Sequence, residues 1–254
     1  MTVKTLFLDA PYNGTIELAA ETLAYLKKKK YKTVGLYASV QFVNNLEKVK
    51  EQLQKNNITA ITSHADRTHV QGQLLGCDNY HNSLNLSKDE NKKIDCYLYI
   101  GDGKFHPLAL VYSQKDSDAV KEIVCNDPIQ KKMSLMGMAD IKGILKKYKG
   151  SLVRFLSADT IGIIITIKPG QEQFRPALAL ENQFPDKKFY YFIDNVVSFD
   201  QLENFNFIEV WVNTACPRVG FDDQEKFVKG VINLNDALHA GEILGKDSMM
   251  NNLQ

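Results

Sequence analysis

The chain is poor in arginine. Arg67, Arg154, Arg175 and Arg218 are the only four, and lysine supplies the rest of the 31 basic residues. Against 30 acidic residues this leaves a net charge of +1. That balance excludes the broad basic field of a nucleic-acid or membrane-surface binder. No apolar run is long enough to read as a membrane span. The start, "MTVKTLFLDAPYNG", lacks the charged head, long apolar core and small-residue cleavage site of a secretory signal. A cytoplasmic protein is therefore expected. Cysteine is scarce as well. Four in 254 residues, in a reducing compartment, argue for core residues, metal ligands or redox groups rather than disulfides. No C-x-x-C pair occurs, which removes zinc ribbons and thioredoxin-type sites. Phosphate cradles are missing too: "GDGKFHP" is not G-x-G-x-x-G, and "KPGQEQ" is not a Walker loop.

What is present is a regular alternation. The 44% hydrophobic and 24% charged content is that of a soluble globular chain, long enough for one large or two ordinary domains. Strands are expected at "KTLFLDA", "KTVGLYASV", "ITAITS", "IDCYLYIGDG", "AVKEIVCNDP", "TIGIIITI", "KFYYFID" and "FIEVWVN". Between them lie helical patterns. In "VNNLEKVKEQLQKNN", for example, Val43, Leu46, Val49 and Leu53 recur at helical spacing. A long helix is expected from about Lys131 to Lys147, and a short last one over "NLNDALHAGEIL". Strands alternating with helices predict an α/β fold of two Rossmann-like domains with mainly parallel sheets flanked by helices. The expected divisions are a strand–helix segment at 1–30, domains at 31–150 and 151–245, and a tail at 246–254. The "KKKK" at 27–30 reads as cations at a helix C-terminus, where the helix dipole favours them.

Ligands of such sheets bind beyond the C-terminal ends of the strands. Unusual turns fall there: Gly101–Gly103, Asn126–Pro128, Lys168–Gln171 and Thr214–Asp223. Two cysteines occupy such irregular settings, Cys77 in "GQLLGCDNY" and Cys216 in "NTACPRVGFDD". Neither sits in an apolar repeat, so a metal role and a structural one stand about even. Cys96 alternates with Ile94, Leu98 and Ile100 and reads as a core residue. Cys125, beside Asn-Asp-Pro, reads as core with less contrast. His64 and His69 flank Asp66 and Arg67 in what reads as a solvated loop. His106 follows the Gly-Asp-Gly turn closely enough to face a strand-end pocket.

The order of these turns resembles a known family. "TVGLYASVQFVNNLEKVKEQL", "GQLLGCD", "LYIGDGKFHPLAL", "GIIITIKPGQ" and "VNTACPRVGFDD" together look like the diphthamide biosynthesis enzymes, the 2-(3-amino-3-carboxypropyl)histidine synthases, almost end to end and in order. The resemblance implies three homologous α/β domains, each giving one cysteine to a [4Fe–4S] cluster that binds S-adenosyl-L-methionine. It implies cleavage of that cofactor toward a 3-amino-3-carboxypropyl radical, which adds to a histidine of elongation factor 2. Cys77 and Cys216 match the middle- and last-domain metal ligands. Gly101, Asp102, Gly103 and His106, with Lys168, Gly170 and Gln171, match turns expected to line the S-adenosyl-L-methionine pocket. Arg218 is a candidate for the methionine carboxylate, with an ion pair to Asp222 or Asp223 an equal alternative. The family's first domain, with its cysteine, has no counterpart here; residues 1–30 resemble only its final strand and helix. A homologous subunit or a separate first-domain protein is therefore an expected partner, with no membrane and no direct nucleic-acid contact. Two other readings stay open: a non-catalytic accessory subunit beside a complete homologue, and a Rossmann-like small-molecule binder with structural cysteines.

Overall fold

The computed structural model describes residues 10–168 and 173–253. The expected "KTLFLDA" strand, all but its last residue, and the turn residues Gly170 and Gln171 lie outside them. The chain divides into two compact units. The first takes the described residues up to Gln114 together with Val120–Met138; the second takes Lys115–Ala119 and the chain from Ala139.

The first unit runs α1 (Ala20–Lys28), β1 (Thr33–Ala38), α2 (Leu46–Lys55), β2 (Thr59–Ile61), α3 (Lys88–Lys93), β3 (Cys96–Ile100), α4 (Phe105–Tyr112), β4 (Ile123–Asp127) and β5 (Lys132–Met136). Its sheet has the order β2-β1-β3-β4-β5, parallel except for β5, which pairs antiparallel with β4. The inner strands "TVGLYA" and "CYLYI" are buried almost throughout, as strands covered on both faces must be. Helix α2 buries Leu46, Val49 and Leu53 in the same cluster as Leu36 and Leu98. Ile16, Leu18 and Leu26 join that cluster, so residues 10–30 pack as part of this unit. Lys27 and Lys28 stand in the last turn of α1.

The second unit holds α5 (Met138–Ser157), β6 (Thr160–Thr166), α6 (Phe174–Ala177), α7 (Ala179–Gln183), β7 (Lys188–Asp194), α8 (Phe199–Leu202), β8 (Val210–Asn213), α9 (Pro217–Asp222), β9 (Val231–Asn233), α10 (Leu234–Leu238) and α11 (Ala240–Gly245). Its sheet is parallel throughout, in the order β7-β6-β8-β9. Trp211 fills its core against Phe192, with ring centroids 5.0 Å apart. Gly162 leaves the room: a Cβ there would stand 2.2 Å from the Trp211 ring.

One device is used in both units. Asp95, just before β3, accepts hydrogen bonds from the backbone N–H groups of Lys32 (2.7 Å) and Thr33 (2.9 Å) at the start of β1. Glu209, just before β8, does the same for Asp159 (2.7 Å) and Thr160 (2.8 Å) at the start of β6. Each carboxylate staples the two central strands at their N-terminal ends.

The structure departs from the sequence reading in several places. The helix expected from Lys131 starts at Met138. The residues before it form β5, so the strand that ends at Asn-Asp-Pro, β4, turns there into a β4–β5 hairpin. Asp127 Oδ1 closes that turn by accepting from the N–H groups of Ile129 (2.8 Å) and Gln130 (2.9 Å). The units divide at 138/139 instead of near Gly150, because α5 is one unbroken helix whose apolar face buries Ile141, Leu145, Tyr148 and Leu152. The stretch "VIN" forms the unanticipated strand β9. Residues 246–253 are no loose tail. Met249 and Met250 donate backbone hydrogen bonds to Ser117 (2.9 Å) and Lys115 (3.1 Å), and Met250 is fully buried.

Candidate metal centre at the sheet ends

In each sheet the chain leaves one strand toward one side and returns on the other. This creates a switch point between β1 and β3 in the first unit and between β6 and β8 in the second. Crevices for ligands form at the C-terminal side of such points. Among the described residues, the Gly101–Gly103 turn follows β3 and the Thr214–Asp223 stretch follows β8.

In the first unit, residues 72–74 run alongside the end of β1. Ala38 N donates to Gly72 O (2.8 Å), and Leu74 N donates to Ala38 O (2.9 Å). Gly72 has φ +83°, and a Cβ on it would press on Leu46 at 2.6 Å; only glycine suits both demands. The Cys77 turn thus starts at the sheet edge. It is closed by Asp78, whose Oδ2 accepts from Leu75 N at 2.8 Å. Burial pushes the Asp78 carboxyl up to about 6, against the pull of that hydrogen bond and of Arg67. Gly76 lies against Phe105 at the start of α4, where a Cβ would approach the ring to 2.1 Å. The structure therefore brings the Cys77 turn to Phe105, next to His106 and the Gly101–Gly103 turn. Gly101 sits over the Tyr99 hydroxyl, which a Cβ would meet at 2.5 Å.

Buried polar atoms collect at the same end. Ser39 Oγ, Tyr99 Oη, Asn126 Nδ2 and both side-chain polar atoms of Asn79 make no well-formed hydrogen bond to a described residue. Ser39 follows β1, Tyr99 lies near the end of β3, and Asn126 lies near the end of β4. Other such atoms occur elsewhere, Trp211 Nε1 among them, but these four side chains come from one end of one unit. Asn126 is half engaged: its Oδ1 accepts from Ala19 N and Thr22 Oγ1, both at 2.8 Å. Sequence reasoning placed Asn126 in a strand-end turn and missed Ser39, Asn79 and Tyr99. The available signal was a short polar group ending an otherwise apolar strand.

In the second unit, β8 ends at Asn213 and Cys216 precedes Pro217, the first residue of α9. Thr214 is tied to β6, its N–H and hydroxyl both donating to Ile164 O (3.0 and 2.8 Å). Arg218 is 5% exposed. Its Nε donates to Asp222 Oδ2 at 2.7 Å, and its Nη2 pairs with the same oxygen, which is the ion pair weighed against a ligand role. The expected open turn at 214–223 is mostly this short helix. Lys168 is exposed, with its N–H donating to Thr166 Oγ1 at 3.3 Å.

The four thiols separate by environment. Cys96 and Cys125 are buried, while Cys77 and Cys216 are half-buried at the sheet ends. Burial, reinforced by Glu122 and Asp95, pushes the Cys96 thiol up to about 12, so it stays protonated. Thiolates in turns beyond parallel strands are donors suited to iron or zinc. Among the described residues, no group of three or more His, Cys, Asp or Glu comes together as a complete metal site. The donors fit a thiolate-bound cluster in kind and supply only part of its ligands. His64 and His69 are exposed, and no such site forms around them among the described residues.

The family model described as "Putative diphthamide synthesis protein" matches residues 2–247. The chain belongs to the diphthamide synthesis family. Among its curated relatives, the 2-(3-amino-3-carboxypropyl)histidine synthase of Pyrococcus horikoshii is 28% identical over 256 residues, covering 96% of this chain and 70% of that protein. The 2-(3-amino-3-carboxypropyl)histidine synthase subunit 1 of Yarrowia lipolytica is 23% identical over 229 residues, covering 88% of this chain and 49% of that protein. The structure of Dph2 from Pyrococcus horikoshii with a 4Fe-4S cluster superposes with a TM-score of 0.68 at 25% identity. The match covers 90% of this chain and 62% of that one. The chain thus spans about half the length of the Yarrowia relative and under two thirds of the solved chain. The two mainly parallel sheets flanked by helices are thus shared with the Dph2 structure over 62% of that chain. No helix among the described residues is long and apolar enough to cross a membrane.

Proposed function

We infer that this chain provides Cys77 and Cys216 as two thiolate ligands of a [4Fe–4S] cluster, in an enzyme that transfers the 3-amino-3-carboxypropyl group of S-adenosyl-L-methionine to a histidine of elongation factor 2. The observation that carries the reading is the sorting of the thiols. Each unit leaves one cysteine half-buried, at the end of its mainly parallel sheet, in a turn fixed by specific hydrogen bonds; the other two thiols are buried in the first unit. A relative of the same fold was solved with a 4Fe-4S cluster, which supports the same assignment.

When bound, such a cluster would supply an electron for reductive cleavage of the sulfonium cofactor. The chain's own residues bind and orient. Gly101 and Gly103 let backbone approach a ligand closely, and Tyr99, Ser39 and Asn79 offer buried hydrogen-bonding groups beside that approach. His106 and Lys168 stand at the rims of the two strand-end turns. Gly170 and Gln171 belong to the same proposal on sequence grounds. Arg218 in its Asp222 pair serves α9 first, and a carboxylate ligand would have to compete with Asp222 for it. The third ligand comes from outside the described residues, through a homologous subunit or a first-domain protein.

The test is anaerobic reconstitution with iron and sulfide, alone and with a homologous subunit, with iron counted and the reduced EPR spectrum recorded. Cys77→Ala and Cys216→Ala should each lose bound iron and the cluster signal. Full iron content and an unchanged spectrum in both variants would overturn the reading.

A further inference from the structure

Behind the Cys216 turn lies a connected set of buried polar side chains that the proposed chemistry does not use. Asn213 Nδ2 donates to Cys216 O at 2.9 Å, and Asn213 Oδ1 accepts from Ala215 N at 3.1 Å. Asn233 Nδ2 donates to Pro217 O at 3.0 Å. The two carboxamides are joined, Asn213 Nδ2 to Asn233 Oδ1, at 2.8 Å. Backbone on both sides of the thiol is thus held by two side chains at the ends of neighbouring strands, β8 and β9.

The set continues inward. Asn233 N donates to Tyr148 Oη at 2.8 Å, and Tyr148 donates to Asp236 Oδ2 at 2.5 Å. The far oxygen of Asp236 pairs with Lys115 Nζ at 3.2 Å. Asn213, Asn233, Tyr148, Asp236 and Lys115 are all at most 3% exposed. From above, α9 closes on the set: a Cβ at Gly220 would stand 2.1 Å from Asn233 Oδ1. A network in which each member is bonded on two sides is rigid, and a partly broken one costs more than an apolar core.

We propose that Asn213 and Asn233 are positioning residues that pre-set the Cys216 turn, anchored through Tyr148 to the buried Lys115–Asp236 pair. This rests on the reading of Cys216 as a cluster ligand. Outer groups that fix a ligand's orientation govern metal retention in other sites by ~10–100-fold. Here they act on the ligand's backbone, so the thiol is aimed before any metal arrives.

The first readout needs no cluster. In a Cys77→Ser background, Cys216 is the accessible thiol, and its alkylation rate by iodoacetamide is followed by mass spectrometry. Asn233→Ala and Asn213→Ala should each raise that rate several-fold. Tyr148→Phe, which keeps the ring and removes the anchor, should raise it less. Phe155→Leu, in the same unit against Phe184, lowers stability without touching the network and should leave the rate unchanged. An unchanged rate in both asparagine variants overturns the proposal, as does an equal rise in Phe155→Leu. The second readout uses chains with Cys77 intact and a reconstituted cluster: iron loss to a chelator should be ~10–100-fold faster in Asn233→Ala. If no cluster forms in any chain, the functional reading fails by its own test, and the alkylation rates still decide the positioning role.

Discussion

At the scale of single residues, burial decides which thiols and hydroxyls can react. Cys96 sits in β3 with its thiol held up to about 12 by desolvation, and the thiolate is the nucleophile. Alkylation of the native chain near neutral pH should therefore label Cys77 and Cys216 and spare Cys96; label on Cys96 before unfolding would contradict its placement. Tyr99 makes the opposite point. Its buried hydroxyl has the Ser39 hydroxyl beside it but no bond of good geometry to a described residue, and an under-satisfied buried polar group costs about 1–3 kcal/mol. Tyr99→Phe should then be neutral to stabilising in the ligand-free chain, by up to about 1 kcal/mol, and on the proposed function it should weaken S-adenosyl-L-methionine binding. A variant that melts well below the parent would mean that the hydroxyl is already satisfied. The cysteine environments were legible in the sequence because Cys96 shares an apolar alternation and Cys77 and Cys216 do not. The polar atoms were not, because a Tyr or Asn in a strand looks the same with or without a partner.

At the scale of elements, each unit is organised by groups at the two ends of its central strands. Carboxylates staple the N-terminal ends, and asparagines (Asn126, Asn213 and Asn233) sit at the C-terminal ends of β4, β8 and β9. Glu209 is held below the ordinary carboxylate range by the N–H groups of Thr160 and Asp159. A depressed carboxyl contributes stability above its unfolded value of about 4.3, and that contribution is lost as pH falls through the folded value. Glu209→Ala should lower unfolding stability by about 1 kcal/mol near neutral pH, the group being solvent-exposed. In urea titrations the difference should fade below about pH 4; a difference that persists in acid would assign the effect to packing instead. The buried pair behaves otherwise. Burial alone would push Lys115 down, but Asp236 and Asp116 outweigh it and hold the lysine above its usual range. Its contribution is full below the ordinary lysine value near 10.4 and declines above the folded one. Asp236→Ala leaves Lys115 paired with Asp116 alone and removes the acceptor of Tyr148, and should cost about 1–3 kcal/mol by urea unfolding.

At the scale of the whole molecule, the chain crosses between its units more than once, since Lys115–Ala119 belongs with the second. A fragment of residues 151–254 lacks Ile141, Leu145 and Tyr148 of α5 and also Lys115, so it should show no cooperative melting by circular dichroism. A sharp transition in that fragment would restore the boundary expected near Gly150. The sequence by itself determined the α/β alternation, the two cysteine turns and the membership of the diphthamide synthesis family. These are written in local periodicity and in short motifs, which survive without any contact being known. The tertiary structure alone decided where α5 begins, that Arg218 is paired with Asp222, and that Asn233 stands behind Cys216. It also decided that Lys115 meets Asp236, 121 positions away. These outcomes depend on which groups meet after the strands are ordered. A polar residue's role is set by that meeting, not by its neighbours along the chain.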